Sequence, residues 1–407
     1  MTVAQFLVAL LAIFAAAKLF GELAERIGQP AVLGEMIGGI VVGVSGLHLV
    51  DAHEPLLHML SELGVILLLF LIGLETDLRR LLSVGGASAS VAMVGVAVPF
   101  AAGYGVGWLL DYPTTLAIFL GAALTATSVG ITARVLSDLG HLKTDESQVI
   151  LGAAVVDDII GLILLTVVSA LAAGERLTVL GVTKVVVVAF GFVILAVLLG
   201  SMLAPRLIRV VDKLHVSKAL FFASIMFAFS LAWAADAAGS ALIIGAFAAG
   251  LVLATTERRV DIEHEVHDVA QFFIPIFFVM VGAAVDLRQL NPFDPSTRQF
   301  LIIGLLLTVV AVLGKLVAGY AAFGRPFRKF VIGVGMVPRG EVGLIFAQLG
   351  LSAGLLSSGL YSSVALMVIV TTFLTPPVLR SLLVKQPAEE MSTVAELVTD
   401  TMADKDD

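Results

Sequence analysis

Cysteine is absent from the 407-residue chain, which excludes disulfides, thiolate metal sites and cysteine nucleophiles. Charge is scarce as well: acidic and basic residues together make up 14%, against roughly 25% in soluble domains. The formal net charge of −8 offers no basic surface, so nucleic acid is not an expected partner. The seven histidines lie mostly between the apolar runs and lack metal-ligand spacing, so neither a structural metal nor a cofactor is implied. What fills the chain is hydrocarbon, with 59% hydrophobic residues and a mean hydropathy of +1.06. That composition belongs in a bilayer and excludes a water-soluble enzyme or a disordered scaffold.

A spanning helix needs about 20 mostly apolar residues. Cutting the chain at charged and Pro/Asn/Asp-rich punctuation predicts thirteen such stretches, near 2–20, 30–49, 56–74, 88–110, 113–137, 147–172, 181–204, 218–236, 239–255, 269–286, 299–323, 330–351 and 358–383. The expected fold is an all-α polytopic membrane protein over residues 1–385, followed by a short acidic tail, 386–407, too polar to bury a core and expected to be disordered. No soluble regulatory domain is expected. Ala15 to Ala17 resembles a signal-peptide cleavage site, but no basic residue precedes Lys18, so the first stretch is expected to be a retained helix. Eighteen of the 24 basic residues fall in odd-numbered connections and the tail, and four in even-numbered ones. Basic residues stay on the cytoplasmic side, which predicts an outside N-terminus and a cytoplasmic C-terminus.

A charge at a helix centre costs roughly 2.5 to 3.5 kcal/mol on insertion scales, so the few that occur demand a reason. Asp157 and Asp158 are adjacent in the sixth stretch, Lys315 sits in the eleventh, and Arg339 and Glu341 sit in the twelfth. At 1.5 Å per residue, Asp157 and Lys315 lie roughly 15 and 13 Å from the cytoplasmic ends of their stretches, near the midplane. Two stretches at that depth also read as broken helices. Thr125, Thr127, Ser128 and Gly130 are weak helix formers in the fifth, and Pro338 with Gly340 loosens the twelfth. Opened backbone at mid-membrane survives only where it is buried or lines a cavity. The broken stretches are seven apart, an odd number, so stretches one to six and eight to thirteen are expected to form two inverted repeats with crossed broken helices, the seventh linking them.

Neighbouring carboxylates point about 100° apart on a helix, so a division of labour is expected: one aspartate pairs with Lys315 and the other faces a cavity and meets an ion. Burial and mutual attraction oppose each other in setting protonation there, so the set is suited to trading a proton for a cation. Hard alkali cations take carboxylate, hydroxyl and carbonyl oxygens. Other readings stay open at this point. The Asp157–Lys315 pair could be a structural salt bridge, Arg339 and Glu341 could serve opened backbone or half-helix ends, and Thr127 and Ser128 could cap the break. Glu35, Glu75 and Asp236 are expected at interfaces or in a vestibule, and the Gly34, Gly38, Gly39 and Gly43 spacing is expected to be helix packing. An aspartyl protease would need its carboxylates on different helices, and a channel would need a repeated carbonyl filter.

Four motifs in order carry a family resemblance: TATSVGITARVLSDLG from 125, AAVVDDIIGL from 153, VLGKLVAG from 312 and GMVPRGEVGLI from 335. Together with LFLIGLETDL at 69–78 and IPIFFVMVGAAVDL at 274–287, they make nearly the whole apolar chain resemble the bacterial monovalent cation:proton antiporter-2 family, close to its NapA-type sodium/proton antiporters. The resemblance implies a core domain (about 88–172 and 299–383) moving like an elevator against a dimerising scaffold (about 2–74 and 218–286), with a linker helix at about 181–204. It implies Asp158 as the principal Na⁺ and proton ligand, Asp157 as the second aspartate paired with Lys315, and Thr127 and Ser128 at the unwound crossing beside the cation. Pro338, Arg339 and Glu341 would form the second crossing. The paired-aspartate form implies electrogenic exchange of two protons per Na⁺ in the cytoplasmic membrane of a prokaryote, by a lipid-embedded homodimer. Li⁺ or K⁺ in place of Na⁺, and a sodium-coupled organic-solute symporter, are the alternatives.

Overall fold

The computed structural model describes residues 1–52, 54–76, 78–172, 179–211, 213, 216, 218–238, 242–285, 295–352 and 354–383. The tail expected at 386–407 lies outside the described residues. The described chain is all α-helical. In order, the helices are α1 (Val3–Arg26), α2 (Ala31–Val42), α3 (Pro55–Glu75), α4 (Leu78–Ser83), α5 (Gly85–Leu109), α6 (Thr114–Ala123), α7 (Val129–Asp138) and α8 (Asp145–Ala172). There follow α9 (Val179–Val211), α10 (Ala219–Ala237), α11 (Leu242–Leu253), α12 (Arg259–Ala283), α13 (Pro295–Gly319), α14 (Lys329–Gly335), α15 (Glu341–Ser352) and α16 (Ser358–Leu383).

Among the described residues, eight helical segments are long and apolar enough to cross a membrane: α1, α3, α5, α10, α12, α16, and the 194–211 and 298–319 parts of α9 and α13. Helices α2, α6 and α11 are apolar but shorter. The stretches 113–137 and 330–351, expected to be broken, are each two half-helices, α6 with α7 and α14 with α15, whereas the short α4 was not expected. The molecule turns large apolar side chains outward along its outer helices, including Leu7 and Leu11 on α1, Leu195 and Leu199 on α9, and Val309 and Leu313 on α13. Water would penalise such a surface, and lipid does not.

Helices α1, α2, α3, α10, α11 and α12 pack on one another, as do α5, α6, α8, α13, α14, α15 and α16; α7 joins the second group through α8 and α16 and also touches α2 and α3, while α9 touches α8, α10 and α11. Glycines set the closest approaches in the first group. A Cβ on Gly34 would lie 2.0 Å from the Phe20 carbonyl oxygen, and one on Gly39 would lie 2.1 Å from that of Val279, so α2 is wedged backbone to backbone between α1 and α12. In the second group, polar contacts tie the start of α8 to the connection before α14. Arg325 meets Asp145 at 2.6 Å, and the Arg328 backbone N–H donates to Glu146 at 3.0 Å.

The wedge also explains a correction. Glu35, expected near an interface, is buried on α2 with 5% of its surface exposed, and its Oε2 has no hydrogen-bond partner. Its charged neighbours are Arg134 and Asp138 on α7 and Lys18 and Glu25 on α1. Its position near a helix end suggested an interfacial or vestibule role, but α2 is only 12 residues long and is flanked closely by α1 and α12. Glu75 is half-buried and Asp236 is exposed.

Candidate ion-binding site

Two interruptions meet in the second helical group. After α6 the Thr125 hydroxyl donates to the Ala122 carbonyl at 2.7 Å, and regular helix resumes only at Val129. Such hydroxyls offer the backbone an alternative to helix. In the other chain segment, α14 ends at Gly335, Pro338 has no N–H to continue the ladder, and α15 begins at Glu341. The two breaks satisfy each other. The Ser128 N–H donates to the Pro338 carbonyl at 2.9 Å. The Thr127 hydroxyl reaches the Met336 carbonyl at 3.4 Å and the Thr132 hydroxyl reaches that of Gly335 at 2.6 Å. A donor hydroxyl keeps its lone pairs, so these contacts leave Thr127 able to face a cation. Gly340 permits the crossing, because a Cβ there would lie 2.8 Å from both Cβ and Oγ of Ser128.

Arg339 is fully buried between the breaks and braces backbone. Its Nη1 donates to the Met336 carbonyl and its Nη2 to the Ala311 carbonyl of α13, both at 3.3 Å, while Thr372 on α16 donates to the Arg339 carbonyl. Its Nε has no hydrogen-bond partner. Glu341 opens α15, but its side chain lies outside the described residues. Beside Arg339, the Lys315 ammonium on α13 donates to Asp157 Oδ2 on α8 at 3.1 Å, and both side chains are 0% exposed. The second oxygen, Asp157 Oδ1, is buried without a partner. The guanidinium of Arg339 interacts electrostatically with Asp157 and Lys315, and Asp158 with Lys315, so two anionic and two cationic groups share one neighbourhood.

Asp158 is turned differently. It is half-buried in a narrow crevice with Leu69 of α3, Val129 of α7, Val155 of α8 and Ile243 and Phe247 of α11. Asp157 thus faces the lysine helix, while Asp158 faces the boundary between the two helical groups, next to the start of α7. Both interruptions, Asp157, Lys315 and Arg339 come together. Several supporting residues had escaped the sequence reading. Thr132 is one turn beyond Ser128, and Thr372 is a polar residue in an apolar run, signals that were available. Gly95, which lies against Lys315, carried none.

A lipid-facing helical bundle with interrupted helices crossing at a buried acid–base cluster defines a polytopic membrane carrier. Residues 8–385 match the family described as sodium/hydrogen exchanger, transmembrane, and the chain belongs to that family. It is 41% identical to the high-affinity Na⁺/H⁺ antiporter NhaS3 of Synechocystis sp., over 96% of this chain and 92% of that one. It is 40% identical to the Na⁺/H⁺-K⁺ antiporter GerN of Bacillus cereus, over 92% and 96%, and 34% identical to a Na⁺/H⁺ antiporter of Enterococcus hirae, over 92% and 97%. The fold is similar to a structure of the sodium proton antiporter MjNhaP1 from Methanocaldococcus jannaschii, with a TM-score of 0.72, 16% identity, and coverage of 94% of this chain and 96% of that one.

Proposed function

We propose that this protein exchanges Na⁺ for H⁺ across the cytoplasmic membrane of a prokaryote as a secondary antiporter. The observation that carries the reading is the fully buried Asp157–Lys315 pair at 3.1 Å, set beside Asp158 at a crossing of two interrupted helices. Asp158 binds the cation and the proton, with Asp157 as second carboxylate and Thr127 and Ser128 supplying oxygen near it. Lys315 and the cation compete for Asp157, so cation arrival and proton departure are linked. Pro338, Arg339 and Glu341 keep the second break open and neutralise it.

In this reading the chain crosses the bilayer thirteen times in two inverted six-helix repeats, with its N-terminus outside and its C-terminus in the cytoplasm. The group containing α5–α8 and α13–α16 is the moving core, α1–α3 and α10–α12 are the dimerising scaffold, and α9 links them. Two protons per Na⁺ make the exchange electrogenic, so the membrane potential contributes about 2.3 kcal/mol per net charge per 100 mV. K⁺ is the second reading for the cation, because the relative GerN is named as a Na⁺/H⁺-K⁺ antiporter. The test is exchange in voltage-clamped proteoliposomes offered Na⁺, Li⁺ or K⁺. Asp158→Asn is expected to abolish cation-driven proton movement with each ion, and near-normal exchange in that variant overturns the assignment.

A further inference from the structure

Lys315 is held from a side that the exchange reading does not use. Its ammonium lies over α5 at Gly95, where a Cβ would sit 3.2 Å from Lys315 Nζ, 3.6 Å from its Cδ and 3.4 Å from the Ala318 Cβ. Gly95, Lys315 and Ala318 are all buried. A contact of 3.2 Å is tight, and its neighbour must give by a few tenths of an ångström. The helices cannot readily do so. One turn along the same seam Pro99 of α5 packs on Gly314 of α13, where a Cβ would lie 2.9 Å from the proline ring. With the backbones clamped there, a methyl at position 95 acts on the flexible end of Lys315. The ammonium stands 3.1 Å from Asp157, so a displacement of Nζ acts directly on that pair. The other charged groups interacting with Lys315 are Asp158 and Arg339, and neither is on α5.

The geometry points to Gly95 as a positioning residue that sets the reach of Lys315 to Asp157. This inference rests on the reading in which Lys315 competes with the cation for Asp157. A lysine pushed off Asp157 competes less well, so the cation binds more tightly and leaves more slowly. In full-length protein, Gly95→Ala is expected to lower KM for Na⁺ at least threefold in proteoliposomes and kcat by at least as much. The Na⁺ affinity read from cation-dependent thermal stabilisation should tighten in parallel. Gly314→Ala, which strains the same seam a turn away from Nζ, is expected to lower the melting temperature and leave KM as in the wild type. If Gly95→Ala cannot be purified, Gly95→Ala with Ala318→Gly takes its place under the same criterion, since Ala318 is the other wall of that space. An unchanged KM in the Gly95 variant, or an equal fall in Gly314→Ala, overturns the positioning role. Asp158→Asn, assayed alongside, separates the two failures: if it is inactive while Gly95→Ala is unmoved, only the role of Gly95 is lost, and if it is active the exchange site itself is wrong.

Discussion

Asp157 and Asp158 are chemically identical and adjacent, yet the helix gives one a lysine and the other a crevice between helical groups. Burial makes the first pairing a matter of stability as well as transport. Removing one member of a buried pair leaves a stranded charge, typically costing about 3 to 5 kcal/mol, whereas replacing both by neutral groups is often nearly harmless. Lys315→Met is therefore expected to lower the melting temperature of the purified protein more than Asp157→Asn combined with Lys315→Met does. A double variant less stable than the lysine variant alone would show that the pair is not energetically coupled. These residues were legible because a charge in an apolar run has a cost that any reader of the sequence can see. Glu35 was misjudged because nearness to a helix end does not report what covers it, and Gly95 left no mark because its contribution is the absence of an atom.

The elements bearing the site are half-helices, and their ends need donors and acceptors from each other. Thr132 supplies one such donor to the Gly335 carbonyl at 2.6 Å, in surroundings where both residues are buried. Thr132→Val keeps the shape and removes the hydroxyl, leaving an underserved carbonyl at a cost of about 1 to 3 kcal/mol. Thermal unfolding should show that loss, with Thr132→Ser restoring most of it. Equal stability for the valine and serine variants would remove the hydroxyl from the account. The breaks themselves were readable from Thr125 to Ser128 and from Pro338 and Gly340, since hydroxyls and proline weaken helices for local reasons. That they cross was expected from their placement, but the bonds that join them, such as Thr132 to Gly335, were not, because the partners are 203 residues apart. Helix α4 escaped because LRRLLS is only 6 residues long and interrupted by two arginines, too short to read as an apolar run.

Across the molecule, the two helical groups touch where basic side chains of one meet the α1–α2 hairpin of the other. Arg380 of α16 places Nη1 3.0 Å from where a Cβ on Gly28 would lie, and Gly28 has a φ of +71°, a conformation that suits glycine. Arg134 of α7 faces the buried Glu35. If the core slides past the scaffold, these contacts must part in every cycle. The chain has no native cysteine, so Gln29→Cys with Arg380→Cys gives a unique pair for a short bifunctional thiol reagent. Cross-linking is expected to arrest exchange, and a cleavable reagent to restore it on reduction. Full exchange by cross-linked protein would mean that this boundary stays closed during transport.

The proposed exchange has carboxylates buried within the bundle trade protons for an alkali cation. It is tested most directly by reconstituting purified protein in liposomes holding a pH gradient and adding Na⁺ while an internal dye reports proton movement. The account predicts prompt, Na⁺-dependent dissipation by the wild type and none by Asp158→Asn. A wild type that leaves the gradient intact on addition of Na⁺, Li⁺ or K⁺, or an asparagine variant that dissipates it equally fast, would contradict it.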